Sequence, residues 1–105
     1  MADSKKIHVE VDGQVLAQAT IATDDEDLHS RAQVTMAPGH RPVGAGQTTA
    51  DAVHEAVCED EAVHLTATVP RGEAELIDGL RSHLTDVDLR AAGATSIIEG
   101  DITPS

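Results

Sequence analysis

Apolar and polar residues alternate on both sides of an Asp-Gly pair near the start of the chain, which is typical of a β-hairpin with one buried face. The alternating stretches are residues 7–11 and 15–21. A two-residue turn at Asp12-Gly13 is possible, but we favour a three-residue loop with Gly13 in a left-handed bulge, which sets Val9 opposite Val15. The preferred register places the apolar residues on one face of the hairpin: Ile7, Val9, Val15, Ala17, Ala19 and Ile21.

Three further strands are predicted from alternation and from the residues that end it. Residues 31–37 form one strand, which Pro38-Gly39 ends, and residues 95–98 form the last. Residues 62–69 are the clearest strand, and the Asp-rich residues 23–30 are a solvated connector. The apolar face of the clearest strand consists of Val63, Leu65, Ala67 and Val69.

Helical spacing of apolar residues predicts two helices. The first ends near residue 60 and begins either at a capping box of Thr48 and Asp51 or earlier, among the preceding glycines. The second covers residues 73–84, and residues 85–92 add a short capped turn. The apolar stripes are Ala50, Val53 and Val57 in the first helix and Leu76, Ile77, Leu80 and Leu84 in the second.

The order of elements predicts one small α/β (α+β) domain over residues 7–99, between a disordered N-terminus (residues 1–6) and a C-terminal tail (residues 100–105). Alternating strands indicate a sheet covered by helices chiefly on one face, or by a partner on the other. Phe, Tyr and Trp are absent, so the core must be aliphatic and the stability modest. A homodimer that buries an open face would help such a domain.

The net charge of −12 argues against binding to nucleic acid or to an anionic membrane, because both need clustered Lys and Arg. The first six residues are charged and no apolar stretch follows them, so we predict no signal peptide and a cytoplasmic location. Cys58 is the single cysteine, which excludes an internal disulfide.

A glycine-rich loop between the predicted strand 31–37 and the first helix is the main candidate for a binding site. Backbone N–H groups converge where a helix begins and attract anions, and glycines let phosphates approach. A P-loop needs Lys where Gln47 stands, and the dinucleotide fingerprint needs a third glycine where Thr49 stands. These two familiar phosphate-binding loops are therefore excluded.

Read from Val34, the sequence V-T-M-A-P-G-H-R-P-V-G-A-G resembles the signature of the GNAT acetyltransferase superfamily. In that signature, a strand ends in V-x-P-x-[aromatic or His]-R and continues into R/Q-x-x-G-x-G/A. The order of the elements over residues 7–84 is similar to that of the superfamily, including the hairpin with its Asp-Gly turn. The positions in register with the signature are Pro38, His40, Arg41, Gly44 and Gly46.

The resemblance implies a compact GNAT-like domain with a mixed, largely antiparallel sheet. It also implies that acetyl-CoA or another acyl-CoA binds with its pyrophosphate at the loop and its pantetheine arm in a splay between strands 31–37 and 62–69. An amine would then attack the thioester directly. The residues implied in cofactor binding are Arg41, Val43, Gly44, Ala45, Gly46, Gln47 and Thr48.

The sequence departs from the GNAT pattern where the chemistry would be done. The opening strand and two helices that usually shape the acceptor pocket have no counterpart, and no Tyr is present to protonate the leaving thiolate. Thr66 and Thr68 lie where compact members often carry Cys. The alternative is therefore a non-catalytic acidic interaction module, a homodimer or the binder of a protein partner; an acidic decoy protein is a third possibility. No catalytic residue is assigned.

Histidine, cysteine and acidic residues give weaker signals. His54 and Cys58 share one helix face, but two ligands do not make a metal site, so we predict none. His64 on a polar strand face could act as a general base, although such a residue is more often only half-exposed. The acidic run of residues 24–27 lacks the alternation and glycine of a calcium loop.

Overall fold

The computed structural model describes residues 3–39 and 42–103, which form six strands and two helices. Arg41, one of the residues implied in cofactor binding, lies outside these ranges. Neither helix of the described chain is long and apolar enough to span a membrane. In chain order the elements are β1 Asp3–Val11, β2 Gln14–Asp24, β3 His29–Met36, α1 Ala45–Glu59, β4 His64–Pro70, α2 Ala74–Ser82, β5 Leu84–Ala92 and β6 Thr95–Ile102.

The strands form one sheet in the order β1-β2-β3-β4-β6-β5. Only β3 and β4 are parallel, and every other neighbouring pair is antiparallel. The predicted mixed, largely antiparallel sheet with two main helices is confirmed. β1 and β6 extend into the segments that were expected to be terminal tails.

The hairpin has the tighter of the two turns considered. Asp12 and Gly13 both have positive φ, 52° and 79°, and Val11 pairs with Gln14. Such a two-residue turn suits the twist of the paired strands. The favoured three-residue loop is therefore wrong. A bulge at Leu16 of β2 then shifts the register, so that Val9 pairs with Ala17 and Ile7 with Ala19, whereas Val15 pairs with Glu10. The predicted pairing of Val9 with Val15 is therefore also wrong.

Both helices cover the same face of the sheet, and the core lies between the helices and that face. The alternate residues Leu65, Ala67 and Val69 of β4 are at most 1% exposed, as predicted, whereas Val63 precedes the strand and is 55% exposed. The other sheet face carries polar residues and has no helix over it. The core contains only aliphatic residues: Ala19, Ile21, Ala32, Val34, Ala50, Val53, Ala56, Val57, Ala62, Leu65, Ala67, Val69, Leu76, Leu80, Leu84 and Ile98.

The segment from Leu84 to Ala92 forms a strand rather than the predicted capped turn. It pairs antiparallel with β6 at the edge of the sheet and contains a bulge between Thr85 and Asp88. Most of its side chains are exposed, so the sequence lacks the alternation that burial would impose. The strand forms because its backbone hydrogen-bonds with that of β6.

Candidate functional site

The glycine loop feeds directly into a helix, as the anion-binding hypothesis requires. α1 begins at Ala45, and its N-cap is Gly44, which has a left-handed φ of 88°. The Thr48 N–H donates to the Gly44 carbonyl at 2.9 Å, and the Ala45 N–H donates to the Pro42 carbonyl at 3.2 Å. The helix thus begins among the glycines, and the capping box of Thr48 and Asp51 is wrong, since both residues lie inside it.

Three backbone N–H groups at this helix start have no hydrogen-bond acceptor within the described part of the chain. In residues 3–39 and 42–103, no acceptor is found for the N–H groups of Val43, Gly44 and Gln47. Val43 is fully exposed, and a Cβ built on Gly44 meets nothing within 4 Å. This loop therefore leaves both donors and space for an anion.

A carboxylate from the second helix already occupies part of this position. Glu75 lies in the first turn of α2, and its Oε1 accepts a hydrogen bond from the Gly46 N–H at 2.6 Å. An ionised acid at a helix N-terminus is stabilised by the helix dipole. A Cβ on Gly46 would lie 2.7 Å from the Leu76 nitrogen, so this glycine is required for close packing of the two helix starts.

A groove of about 430 Å³ lies between the two helix starts. Two glutamates line it, Glu73 and Glu75, so its electrostatic potential opposes a diphosphate even though the amides favour one. The lining residues are Pro42, Val43, Gly44, Ala45, Gly46, Gly72, Glu73, Ala74 and Glu75.

The parallel strands beside the groove separate toward the glycine loop. β3 and β4 pair from His29 with His64 as far as Gln33 with Thr68. Beyond that point β3 stays paired with β2 up to Met36, while β4 stays paired with β6 up to Pro70. The splay predicted near the loop is therefore present, and it opens beside the start of α1.

Comparison with known proteins identifies the fold but no close relative. No protein-family model matches the sequence, and no curated protein matches it either. Among solved structures, the ribosomal-protein-alanine N-acetyltransferase from Brucella melitensis matches with a TM-score of 0.61 and 20% identity over 92% of this chain. The GNAT domain of S. lividans PAT matches with 0.64 and 12% over 95%. The acetyltransferase of GNAT family from Streptococcus pneumoniae matches with 0.58 and 12% over 90%.

The chain has the GNAT acetyltransferase fold. It spans 67%, 61% and 63% of the lengths of those three chains, respectively. At such low identity the likeness establishes the arrangement of strands and helices and not the chemistry.

The open face of this GNAT fold carries a second group of polar residues, at the end of the parallel pair away from the glycine loop. His29 and His64 are neighbours across β3 and β4, and their rings meet edge to face with centroids 4.8 Å apart. His64 Nδ1 lies 3.0 Å from Asp101 Oδ1, and His64 Nε2 lies 3.3 Å from Glu99 Oε2. We call these four residues the histidine–carboxylate cluster.

Thr66 connects the members of the histidine–carboxylate cluster. Its hydroxyl lies 2.8 Å from His29 Nε2 and 3.3 Å from Glu99 Oε2, and it can donate to the carboxylate. Thr66 also lines a shallow hollow of about 300 Å³ on the open face, where β3 and β4 begin to part. The cluster and the splay are therefore adjacent but separate.

The pKa values of the two histidines of the cluster are shifted in opposite directions. The hydrogen bond from His64 to Asp101 raises the pKa of His64, with Glu99 adding to the effect. Burial lowers the pKa of His29, and the nearby His64 lowers it further. The hydrogen bond to His64 lowers the pKa of the Glu99 carboxyl.

We expect His64 to titrate at a higher pH than His29 in an NMR titration in metal-free buffer. Because its folded pKa lies above its unfolded value of about 6.5, His64 contributes stability below that pH and loses it as the pH rises through the folded pKa. The folded pKa of His29 lies below its unfolded value, so its contribution to stability is lost as the pH falls through the folded pKa. His64→Gln should remove the loss on the alkaline side; the reverse titration order would contradict the assignment.

The pair His54 and Cys58 has a structural explanation. His54 Nε2 lies 2.8 Å from the Thr103 carbonyl and 3.5 Å from Cys58 Sγ, and its ring stacks on His83 at 4.0 Å. His83 in turn bonds Asp51 at 2.8 Å, which lowers the pKa of the Asp51 carboxyl. These contacts tie α1 to the ends of α2 and β6.

The structure brings the loop residues 43–48 together at one helix start, but some of their N–H groups already have acceptors within the chain. Ala45 and Thr48 donate to backbone carbonyls, and Gly46 donates to Glu75. Sequence reasoning missed His29, Glu99 and Glu75. The pairing of His29 with His64 across parallel strands, and the contact between two helix starts, have no signal in local periodicity.

Proposed function

We propose that this GNAT-fold domain binds an acyl-CoA and transfers its acyl group to an amine. The observation that carries the proposal is the group of unbonded N–H groups of Val43, Gly44 and Gln47 at a helix start beside a splayed parallel strand pair. The structurally similar proteins are described as acetyltransferases, which supports the same class of ligand.

The pyrophosphate of coenzyme A would lie against those three amides. Gly46 would become a fourth donor if the Glu75 side chain turned away from it, which the exposure of Glu75 permits. The pantetheine arm would extend between the separating ends of β3 and β4, in place of the missing strand-to-strand hydrogen bonds. Arg41 would add positive charge beside the loop.

The acceptor amine would reach the thioester from the open face of the sheet. The hollow lined by Gln33, Thr66 and Thr68 lies there, where the two strands begin to part. His64 is two residues before Thr66 and four before Thr68 on β4, and a strand rises about 3.3 Å per residue, so the imidazole is about 7–13 Å from the hollow along the strand. Proton transfer from an amine in the hollow to His64 would therefore require an intervening water.

The alternative is a non-catalytic interaction module that keeps the fold. One observation favours it: Glu75 already satisfies the Gly46 amide, and Glu73 lines the same groove. An internal carboxylate in place of the diphosphate would stabilise the helix start without any cofactor. The two functions differ in whether coenzyme A binds.

Thermal unfolding with acetyl-CoA or free coenzyme A tests the cofactor proposal. Ligand at 100 times its Kd should stabilise the domain by about 2.7 kcal/mol, which is several degrees in Tm for a domain of this size. Val43→Asp places a charge at the groove and should weaken binding. Val63→Asp makes the same change at another exposed valine and should leave binding unchanged.

The results separate the two functions. No shift of Tm with any acyl-CoA or with coenzyme A would overturn the cofactor proposal and leave the interaction module. A shift that Val43→Asp does not reduce would place the ligand elsewhere. If the shift is present but no amine in a broad panel releases the thiol above background, the domain binds the cofactor without transferring the acyl group.

A further inference from the structure

The histidine–carboxylate cluster contains the donor set of a metal site. One nitrogen from each of His29 and His64 and one carboxylate oxygen of Glu99 all lie within 4.8 Å of one another. It is the one such group found in the described residues. We propose that His29, His64 and Glu99 bind a first-row divalent transition metal ion of the Zn²⁺ class on the open face of the sheet.

The strand register holds these three residues in place. His29 and His64 are directly paired across β3 and β4, and Glu99 is paired with Thr66, two residues along β4 from His64. Their side chains point to the same side of the sheet, because directly paired residues share a face and the residues that alternate with them, Ser30 and Leu65, are buried. Three adjacent strands thus present one ligand each from a rigid framework.

The distances require only a small closing movement. Zn–N and Zn–O bonds of about 2.0–2.2 Å place tetrahedral ligand atoms about 3.4 Å apart. His64 Nε2 and Glu99 Oε2 are already 3.3 Å apart. His29 would exchange its hydrogen bond with the Thr66 hydroxyl for the metal. The side chains of His64 and Glu99 are about one-third exposed, which leaves room for such rotations.

Asp101 supplies the outer contact that histidine ligands need. Its Oδ1 lies 3.0 Å from His64 Nδ1, so it can hold the proton on Nδ1 and leave Nε2 as the ligand atom. Metal-binding histidines usually donate their other ring N–H to a carboxylate in this way, which fixes the tautomer and the ring orientation. The cluster therefore contains a ligand and its supporting residue, and not merely a group of acids.

The donor types select the class of metal. Two imidazoles and one carboxylate suit Zn²⁺, Co²⁺ or Ni²⁺, whereas Ca²⁺ and Mg²⁺ prefer oxygen ligands alone. Three protein ligands leave a further position for water or another small ligand. Two local cations oppose binding, since Arg90 approaches Glu99 at 4.0 Å and the charge of Arg31 acts on His29, but the chain as a whole carries a net charge of −12.

Calorimetric titration of the chelator-treated full chain with ZnCl₂ tests the proposal. We expect one ion per chain, with His29→Ala and His64→Ala each weakening binding more than tenfold, and Asp101→Asn weakening it by about 10- to 100-fold. His8→Ala is the matched control, because His8 is exposed on β1, and it should not change affinity. Circular dichroism confirms that each variant is folded, and Glu99→Gln gives a variant of nearly unchanged shape.

Cobalt provides an independent readout. Bound Co²⁺ should give the visible absorption of a four-coordinate ion, and His29→Ala should abolish it. The proposal is overturned if no stoichiometric binding of Zn²⁺ occurs, if binding survives His29→Ala and His64→Ala, or if CaCl₂ is bound as tightly as ZnCl₂. None of these results depends on coenzyme A, so the metal site and the proposed acyl transfer succeed or fail separately.

Discussion

Leu65→Ala is expected to destabilise the domain by about 2–5 kcal/mol, because it removes a fully buried side chain from the centre of the sheet. Leu65 is 1% exposed and lies on β4 between its neighbours β3 and β6. The core around it contains no aromatic side chain that could move into the cavity. A domain of this size is stable by only about 5–15 kcal/mol, so the change is a large fraction of the total.

Urea denaturation followed by circular dichroism measures this loss, with Val63→Ala as the matched control. Val63 is two residues earlier in the chain and is 55% exposed, so its truncation should cost within about 0.5 kcal/mol. We expect the midpoint for Leu65→Ala to fall with an unchanged slope, and Tm to fall by more than about 8 °C. Equal losses for both variants would contradict the burial of Leu65.

Glu75→Gln is expected to increase the affinity for coenzyme A by about tenfold, if the proposed cofactor binds at the glycine loop. The carboxylate at 2.6 Å from the Gly46 nitrogen must leave before a phosphate can accept that N–H. A charge-assisted hydrogen bond at this partly exposed position contributes about 1 kcal/mol, and the removed charge also lessens repulsion of the diphosphate. Glutamine keeps the size of the side chain and can still accept a hydrogen bond from Gly46, but this neutral bond is weaker and no negative charge repels the diphosphate.

Isothermal titration of Glu75→Gln with coenzyme A measures the change, and Asp78→Asn controls for net charge. Asp78 lies one turn farther along α2, so its substitution removes the same charge without touching the glycine loop. We expect the affinity of Asp78→Asn to change much less than that of Glu75→Gln. Equal gains in both variants would mean that the overall charge, and not the contact with Gly46, limits binding.

Local sequence pattern predicted most of the strands and helices that have one buried face. The core strand β4 and the stripe of α1 with Ala50, Val53 and Val57 appear as expected, because a buried face imposes a period on the residues that form it. The glycine loop before α1 was also predicted, because clustered glycines permit positive φ and close backbone approach. Its residues Gly44 and Gly46 fall at the N-cap and in the first turn.

Elements and contacts that depend on distant partners could not be predicted in the same way. β5 shows little alternation because it is an edge strand held by hydrogen bonds to β6. The hairpin register was missed because the structure combines a two-residue turn with a bulge at Leu16 of β2, and local alternation does not specify that combination. In both cases the decisive interaction joins backbones, and backbone pairing leaves little trace in side-chain composition.

The sequence by itself therefore determined the order of the main elements, the aliphatic core, the acidic surface and the glycine loop, which are all local or compositional properties. Only the tertiary structure decided that His29, His64 and Glu99 meet on one sheet face and that Glu75 reaches the Gly46 amide. His29 and Glu99 are 70 residues apart in the chain. The physical reason is that these contacts are set by the parallel pairing of β3 with β4 and by the close packing of α1 on α2, and neither is encoded within any short segment.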